Sequence, residues 1–229
     1  MSRLAVVIVP AAPALLPGIG GSADPLADLR EGARGAVADT AVSAKGARLV
    51  VVAAGDATRE WDLDAPSGAE RFTTGQVPKG ALPTGLEIGR MFAPLRWGKP
   101  IGLRSIASDA SPDECVALGR EIVGDGPVAL VVVADGPATL TEQAPGHLQP
   151  DAAAFASSLA QAVASPDTTA LADLDPQTCD RLWMRGRPAL QVLAGAAAGR
   201  DLRGELIADE APQGRLCCCT EPAAGTTRR

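Results

Sequence analysis

Three uninterrupted aliphatic runs predict the central strands of a sheet. They are Leu4–Val9, Leu49–Ala54 and Val128–Ala134. A strand that is apolar at every position, rather than at every second one, is typical of a parallel sheet covered on both faces. Weaker runs predict further strands at Leu103–Ala107 and Glu205–Ala208, and an edge strand at Leu216–Thr220. We therefore expect the first three runs to be neighbours in the centre of one sheet.

Four proline dipeptides mark where helices are expected to begin. In each, a side chain that caps helices stands before a proline at the first helical position: Asp24-Pro25, Ser111-Pro112, Ser165-Pro166 and Asp175-Pro176. Apolar residues then recur on one helical face, as in Leu26, Leu29, Ala33 and Val37, and again in Phe155, Leu159 and Val163. Gly124 is expected to end one helix, and Gly186 to separate two others.

The alternation of strands and helices predicts an α/β protein. We expect a single domain with a central, mostly parallel sheet and helices on both faces. The 229 residues suffice for one such domain, which we place at residues 1–220, with an irregular tail at 221–229. The stretch Thr58–Pro100 is rich in Gly and Pro and is predicted to form loops, with room for a small hairpin.

The composition narrows the classes of function. The net charge is −6, and lysine occurs only at Lys45, Lys79 and Lys99, so the basic footprint of nucleic-acid binding is missing. No apolar run of the sequence approaches the roughly 20 residues that cross a bilayer. The amino-terminal run "LAVVIV" is followed at once by Pro10, which favours a strand over a signal peptide. We expect neither nucleic-acid nor membrane binding.

The cysteines bear on metal binding and on the compartment. They are Cys115, Cys179 and the adjacent Cys217, Cys218 and Cys219. Neighbouring cysteines in a strand point to opposite faces, and none of them shows the CxxC spacing of a zinc site. We interpret them as reduced thiols of a cytoplasmic protein.

Candidate chemistry lies where the predicted strands end, because ligands of such sheets bind at the carboxyl ends. Four segments follow strands there: Pro10–Leu16, Gly55–Trp61, Asp135–Thr141 and Asp209–Gly214. Their polar residues are Asp56, Arg59, Glu60, Asp135, Thr139, Thr141, Glu142, Asp209 and Glu210. Plain structural roles remain open for three acids, since Asp56 and Asp135 suit turns and Glu210 suits a pair with an arginine.

The carboxy-terminal half carries motifs in a fixed order: "ADGPATLTEQAPGHLQPDAAAFASSLAQAV", "ALADLDPQ", "GRPALQVLAGAA" and "ELIADEAPQG". The opening "VIVPAAPALLPGIGG" and the strand "RLVVVAAGD" match more weakly. From Leu4 to Gly214 the chain resembles the class III extradiol ring-cleavage dioxygenases, in the LigB-like branch found in actinobacteria. The tail "QGRLCCCTEPAAGTTRR" departs from the aromatic, glycine-containing strand with which that family continues.

The resemblance implies an iron site and shows where this chain departs from it. Active members of the family bind non-haem Fe(II) through two His and one Glu, with another His as acid/base, the ligand pattern of open-site iron oxygenases. The first ligand position falls on Ala11 or Ala12 in "PAAPALL", and the second on Asp56. The acid/base position falls on Ala138 or Thr139 in "DGPATLT".

Only the glutamate position of that site is kept, as Glu210 in "DEAPQG". The sequence contains one histidine, His147, which stands in "APGHLQPD" beyond the acid/base position. We interpret His147 as a surface or helix-entry residue. One chain therefore cannot supply the two histidine ligands that the family uses.

Two functional hypotheses follow. The first is a catalytically degenerate homologue, without a cofactor, that has a binding or assembly role. Its vestigial cleft would comprise Ala11, Ala12, Asp135, Ala138 and Thr139. The alternative is an active non-haem, metal-dependent, ring-cleaving oxidoreductase whose rebuilt site holds Fe(II) or another divalent metal through Asp56 and Glu210. A third hypothesis is an inactive subunit whose partner completes the site. The expected partner is an unknown protein or a small ligand, and the oligomeric state, a homo-oligomer included, stays open.

Overall fold

The aliphatic runs and amphipathic stretches fold into strands and helices around one sheet. The structure is a computed structural model that describes residues 3–19, 24, 26–44, 46–93, 101–124, 126–200, 202, 204–210 and 217–222. The strands are β1 (Leu4–Val9), β2 (Arg48–Gly55), β3 (Arg59–Trp61), β4 (Ile101–Ala107), β5 (Val128–Val133), β6 (Gly204–Glu210) and β7 (Cys217–Pro222). The helices are α1 (Ala27–Ser43), α2 (Thr84–Phe92), α3 (Pro112–Gly124), α4 (Ala152–Ala164), α5 (Thr168–Ala172), α6 (Pro176–Arg181) and α7 (Arg187–Ala197). Among the described residues, no helix is long and apolar enough to cross a bilayer.

The strands form one mixed sheet in the order β3-β4-β2-β5-β1-β7-β6. Strands β4, β2, β5 and β1 run parallel, and Leu130 of β5 lies in register with Val6 of β1 and Val50 of β2. Strand β3 is antiparallel to β4, and β7 is antiparallel to both β1 and β6. The three runs predicted to be central are therefore neighbours in a single-domain α/β protein, as expected.

Both faces of the sheet are covered, which explains the unbroken aliphatic runs. Every residue of β5 is buried. Val128, Leu130 and Val132 face one core, which includes residues of α3, α4 and α7. The alternate residues of β5 face the other core, which includes residues of α1 and α2. A strand between two apolar layers needs an aliphatic side chain at every position.

Several predicted helix boundaries are confirmed by hydrogen bonds. Ser111 and Glu114 form a reciprocal cap at the start of α3, with the Ser111 N–H donating to the Glu114 carboxylate at 2.8 Å and the Glu114 N–H donating to the Ser111 hydroxyl at 3.3 Å. Gly124 ends α3. The Asp175 carboxylate accepts from the Thr178 N–H at 2.8 Å and so caps α6.

Two of the four predicted helix starts are displaced. Asp24 makes no capping bond; α1 begins at Ala27, and the Asp24 carboxylate instead pairs with Arg30 at 2.6 Å. Helix α5 begins at Thr168 rather than at Pro166, because Asp167 supplies the cap by accepting from two backbone N–H groups. Ser165 is the residue that ends α4. The Asp167 carboxylate satisfies two backbone N–H groups that have no partner within the helix. This cap therefore sets the start of α5 in place of the Ser165-Pro166 dipeptide.

The edge-strand prediction for Leu216–Thr220 is wrong. The strand there, β7, lies between β1 and β6, so β6 forms that edge of the sheet. A strand late in the chain can still pair on both sides, as β7 does with β1 and β6. Strand β7 also continues to Pro222, two residues past the predicted domain boundary, and the rest of the predicted tail lies outside the described residues.

The stretch Thr58–Pro100 holds more structure than the predicted loops. Its strand β3 pairs with β4 rather than closing a local hairpin, and residues 84–92 form α2. The sequence does not predict this helix, because Gly85 and Gly89 are unfavourable within a helix and indicate breaks in a helical pattern. Added Cβ atoms would lie 2.7 Å from the Ala53 Cβ at Gly85, and 2.3 Å from the Val51 Cγ1 at Gly89. The two glycines therefore let α2 lie directly against β2.

Helices α3 and α7 cross at equally close range. A Cβ on Gly119 would lie 2.0 Å from the Val192 carbonyl oxygen, and one on Gly195 would lie 2.1 Å from the Val116 carbonyl oxygen. Each glycine thus faces the backbone of the opposite helix. This contact fixes α7, whose first turn follows the loop that reaches the carboxyl ends of the strands.

Candidate functional site

A cavity of about 490 Å³ opens at the carboxyl ends of β2 and β5. Its lining includes Ala53 and Gly55 from the end of β2, and Val133 from the end of β5. The first residues of α2, Thr84 and Gly85, form another part of the wall. The cavity thus occupies the edge of the sheet at which parallel α/β proteins bind ligands.

The turn after β1 and the loop after β5 are joined at this cavity. The carboxylate of Asp135 accepts a 2.7 Å hydrogen bond from the backbone N–H of Ala11. Asp135 is 2 % exposed, and both residues contribute to the cavity lining. A buried carboxylate needs such donors, since an unsatisfied one would be costly. Asp135 therefore holds the proline-punctuated turn in place.

Gly186 lets the loop before α7 approach Asp135. A Cβ at this position would lie 2.3 Å from the Asp135 carbonyl oxygen and 2.6 Å from its backbone nitrogen. The neighbouring Arg185 also lines the cavity and is exposed. The same glycine that separates α6 from α7 therefore brings an arginine to the cavity.

Arg59 is placed by an aromatic side chain on β3. Its guanidinium lies 3.5 Å from the ring centroid of Trp61, a cation–π contact. The Trp61 ring is fixed in turn, because its N–H donates to the Ser105 hydroxyl at 2.8 Å, and that hydroxyl donates to the Ala57 carbonyl at 2.6 Å. Both Arg59 and Trp61 line the cavity.

Arg71 is held at the cavity by backbone carbonyls. Its Nε donates to Gly68 at 2.8 Å and its Nη2 donates to Leu82 at 2.9 Å. The loop that carries Gly68 is itself anchored to α2, where the buried Glu87 accepts from the Gly68 N–H at 2.8 Å and from the Ser67 hydroxyl. Arg71 therefore contacts a loop that hydrogen bonds to Glu87 hold in place.

A buried polar pair supports the part of the wall that contains Ser108. Arg187 is 3 % exposed and donates to the carbonyl oxygens of Ser108 and Ala110 at 3.0 and 2.9 Å, and to the Gln191 side chain at 2.7 Å. Gln191 donates to two carbonyls before α6, those of Ala172 and Leu174, both at 2.9 Å. Ser108 lines the cavity, so this pair links its position to the helices behind it.

The structure brings three of the predicted site residues to the cavity. Ala11, Asp56 and Asp135 line it, and Asp56 is exposed. Ala12 is buried in the core between the sheet and α1. A cavity therefore exists beside the turn after β1, and the side chain presented there at Ala11 is a methyl group.

Ala138 and Thr139 lie in the protein interior rather than in the cavity lining. Both have an exposed fraction of 0 %. The Ala138 N–H and the Thr139 hydroxyl donate to the Leu182 carbonyl, at 3.0 and 3.4 Å. This segment therefore serves to hold the loop after β5 against the end of α6. The two residues do not line the cavity described above, and their place in a vestigial cleft stays a prediction.

The predicted pairing of Asp56 with Glu210 remains a prediction. Glu210 is the last residue of β6, opposite Cys217 in the register, and its side chain lies outside the described part of the structure. Strand β6 is four positions from β2 in the sheet order, which at about 4.8 Å per strand is roughly 19 Å. The backbone alone therefore does not bring these two residues together.

His147, Cys115 and Cys179 do not line the cavity. His147 is exposed, as predicted, with Nδ1 lying 3.4 Å from the Glu142 carbonyl oxygen. Burial raises the pKa of Cys115 to about 11 and that of Cys179 to about 12, although the charge of Arg187 acts to lower both. Within the described residues, no three His, Cys, Asp or Glu side chains are grouped so as to hold a metal.

The arginines of the cavity were largely missed from the sequence. In the sequence, Arg59 is one of several polar residues that follow a predicted strand. Arg71 comes from the stretch predicted as loop, and Arg185 precedes the glycine that separates two helices. Neither has a motif around it, because the fold alone brings the three together. No protein-family model and no curated protein sequence matches this chain.

Proposed function

We propose that the protein is a catalytically degenerate relative of the class III extradiol dioxygenases that binds a small organic molecule in the cavity. The position of the cavity supports this, since it lies at the carboxyl ends of β2 and β5, where such folds bind ligands. Its volume of about 490 Å³ is within the range of small-molecule sites. Its lining combines apolar side chains with a few polar groups, which is also typical of such sites.

The observation that carries the proposal is the contact between Ala11 and Asp135. The backbone N–H of Ala11 donates to the Asp135 carboxylate at 2.7 Å, so this acid braces a turn. A methyl group supplies no metal ligand, and extradiol cleavage depends on imidazoles that hold Fe(II) with open positions for substrate and oxygen. A general acid/base typically adds about 10²–10⁴-fold in rate, and the acid/base position falls on Ala138 or Thr139, neither of which is a histidine.

Ring cleavage is tested with protein purified without a chelator. Given Fe(II), oxygen and a panel of catechols, the protein should open no ring above the background of free iron. Turnover above that background that is lost on Glu210→Ala would overturn the proposal. It would favour the alternative, an active metal-dependent oxidoreductase with a rebuilt site. That alternative has one observation in its favour, which is that Asp56 lines the cavity.

Binding is tested with two tryptophan variants and ligand-detected NMR. Ala57 is exposed and lines the cavity, so Ala57→Trp should fill the opening and abolish binding of small organic probes. Ala117 is exposed on α3 and does not line the cavity, so Ala117→Trp is the matched control and should leave binding unchanged. Binding that survives Ala57→Trp would place the ligand elsewhere and overturn the proposal.

A further inference from the structure

We infer that the cavity selects small organic anions, in which a carboxylate or phosphate group is joined to a compact apolar body. The inference rests on the proposed binding function and goes beyond it by naming the chemistry of the ligand. Three arginines, the end of one helix and the apolar part of the wall support it.

Three guanidinium groups are the first observation that supports selection of anions. Arg59, Arg71 and Arg185 line one cavity in a chain whose net charge is −6. Among the described residues, none of the three forms an ion pair with a carboxylate. Elsewhere in the same structure arginines do find such partners, as Arg30 does with Asp24 at 2.6 Å. The positive charge of the cavity is therefore left for a ligand.

The acids of the cavity do not cancel this charge by contact. Asp135 accepts from the Ala11 N–H and is buried behind the turn. Asp56 is exposed after β2 and forms no salt bridge with a described residue. Among the described residues of the lining, three arginines against two aspartates leave a positive excess.

The three arginines are also held in different ways. Arg71 uses Nε and one N–H of Nη2 on backbone carbonyls and retains the other donors of its fork. Arg59 lies with its guanidinium over the Trp61 ring, which leaves its N–H groups free at the edges. Arg185 donates no hydrogen bond to any described residue. Carboxylates and phosphates match the donor geometry of such forks.

The amino end of α2 is the second ground. Thr84 and Gly85 line the cavity and belong to the first turn of a nine-residue helix. The unpaired N–H groups of a first helical turn carry a partial positive charge, which favours an anion. This contribution comes from the backbone and is independent of the arginines.

The apolar part of the wall limits the rest of the ligand. Ala53, Val133 and Pro13 line the cavity together with the aliphatic Val77. These side chains offer no hydrogen bonds, so they suit a compact hydrocarbon body. A bare inorganic anion would leave them uncovered, whereas an organic anion covers them and meets the arginines at once.

The test uses probes that share one body and differ in charge. Benzoate, benzamide and benzamidine are nearly isosteric and carry negative, neutral and positive head groups, and phenyl phosphate adds the second anionic chemistry. We expect both anions to bind at least about tenfold more tightly than benzamide, since hydrogen bonds to charged groups are the stronger ones. Whichever of benzoate and phenyl phosphate binds more tightly shows whether the cavity prefers a carboxylate or a phosphate group.

Arginine variants then assign the effect to the cavity. Arg185→Gln and Arg59→Gln should each weaken anion binding by about tenfold and leave benzamide within about twofold. Arg120 is exposed on α3 and outside the cavity lining, so Arg120→Gln is the matched control and should change nothing. Arg185 makes no bond to a described residue that its loss would break, and unchanged thermal unfolding of Arg185→Gln would show that the fold persists.

The outcomes separate the two proposals. Equal affinity for benzoate and benzamide, or anion binding that both arginine variants leave intact, would overturn the selection of anions while the binding function stands. If none of the four probes binds, or if Ala57→Trp leaves their binding unchanged, both the binding function and the selection of anions are overturned.

Discussion

The backbone N–H of Ala11 and the carboxylate of Asp135 meet at 2.7 Å, although 124 positions separate them in the chain. The bond joins the turn after β1 to the loop after β5, two strands that lie side by side in the sheet. It explains how a turn made of alanine and proline keeps its shape at the edge of a cavity. The polar group that fixes the turn comes from the loop that follows the neighbouring strand.

Asp135→Ala should therefore destabilise the protein. The change removes the carboxylate that accepts from the partly buried Ala11 N–H, and a hydrogen bond to a charged group contributes about 1.5–3 kcal/mol. Asp135→Asn retains an oxygen acceptor and should cost less. Asp56→Ala, at an exposed position of the same cavity, serves as the control and should stay within about 0.5 kcal/mol. Urea unfolding measures all three, and equal midpoints for Asp135→Ala and Asp56→Ala would contradict the role of the bond.

Two glycine-to-alanine changes should act in opposite directions. Gly119→Ala places a Cβ 2.0 Å from the Val192 carbonyl oxygen and should destabilise by about 1–3 kcal/mol or more, because backbone must move. Gly35 is exposed in the middle of α1 with nothing within 4 Å of its added Cβ. Gly35→Ala should stabilise by about 0.5–1 kcal/mol. Thermal unfolding of the pair is the measurement, and a stabilising Gly119→Ala would disprove the close crossing of α3 and α7.

Gly68→Ala should weaken anion binding without touching an arginine. The added Cβ would lie 2.1 Å from the Nη2 atom of Arg71 and 2.8 Å from the Leu82 carbonyl oxygen, so the guanidinium must leave its present place. We expect a loss of benzoate affinity of about tenfold. Gly124→Ala, with nothing near its added Cβ, is the control. Unchanged benzoate affinity in Gly68→Ala would show that the placement of Arg71 does not matter for binding.

Stability should fall as the pH drops below the ordinary range of carboxylates. Hydrogen bonds lower the folded-state pKa of four of them: Asp24 through Arg30, Glu114 through Ser111, Asp151 through Arg181 and Asp175 through Thr178. A lowered folded pKa means that the unfolded chain takes up protons first, so the stabilisation is present above the unfolded pKa of about 4. It is lost as the pH falls through the folded values.

The measurement for this acid range is the urea midpoint between pH 6 and pH 2. Asp151→Asn removes one of the four groups and should flatten the pH dependence. Asp39, which is exposed on α1 and forms no salt bridge with a described residue, is replaced by asparagine as the control. A midpoint that rises on acidification would contradict the sign of the effect.

Cys115 and Cys179 should resist alkylation in the folded protein. Both are fully buried, and burial raises the pKa of Cys115 to about 11 and that of Cys179 to about 12, so little reactive thiolate exists at pH 8. Iodoacetamide labelling followed by mass spectrometry of the individual peptides measures each thiol. Labelling should require urea. Native labelling of either peptide at the rate of a free thiol would show that the core opens.

The strands were predictable because their cause is local to the sequence. A continuous run such as Val128–Ala134 has one physical explanation, which is burial on both faces. Helix α2 was not predictable, because Gly85 and Gly89 look unfavourable until the approach of Ala53 and Val51 is known. The local sequence shows that a glycine is entropically unfavourable in a helix. It does not show the tertiary contact that compensates for this cost.

The cavity, too, was predictable where its cause is local and not where its cause is a tertiary contact. Its place at the carboxyl ends of the strands was predictable from the parallel order, as was the presence of Asp56 and Asp135 there. The arginines were not, because Arg71 reaches the cavity through backbone carbonyls of Gly68 and Leu82. Arg185 reaches it through the close approach of Gly186 to Asp135. Such contacts are tertiary and leave no periodic mark in the sequence.

The central place of β5 also orders events during synthesis of the chain. Strands β1 and β2 follow each other in the sequence, yet they do not pair, because β5 lies between them and pairs with both. A nascent chain that has emerged only as far as Phe92 therefore presents two strongly aliphatic strands without the partner they share. Productive folding of the sheet waits until Val133 has been made, and until then the two strands are open to pairing with other chains.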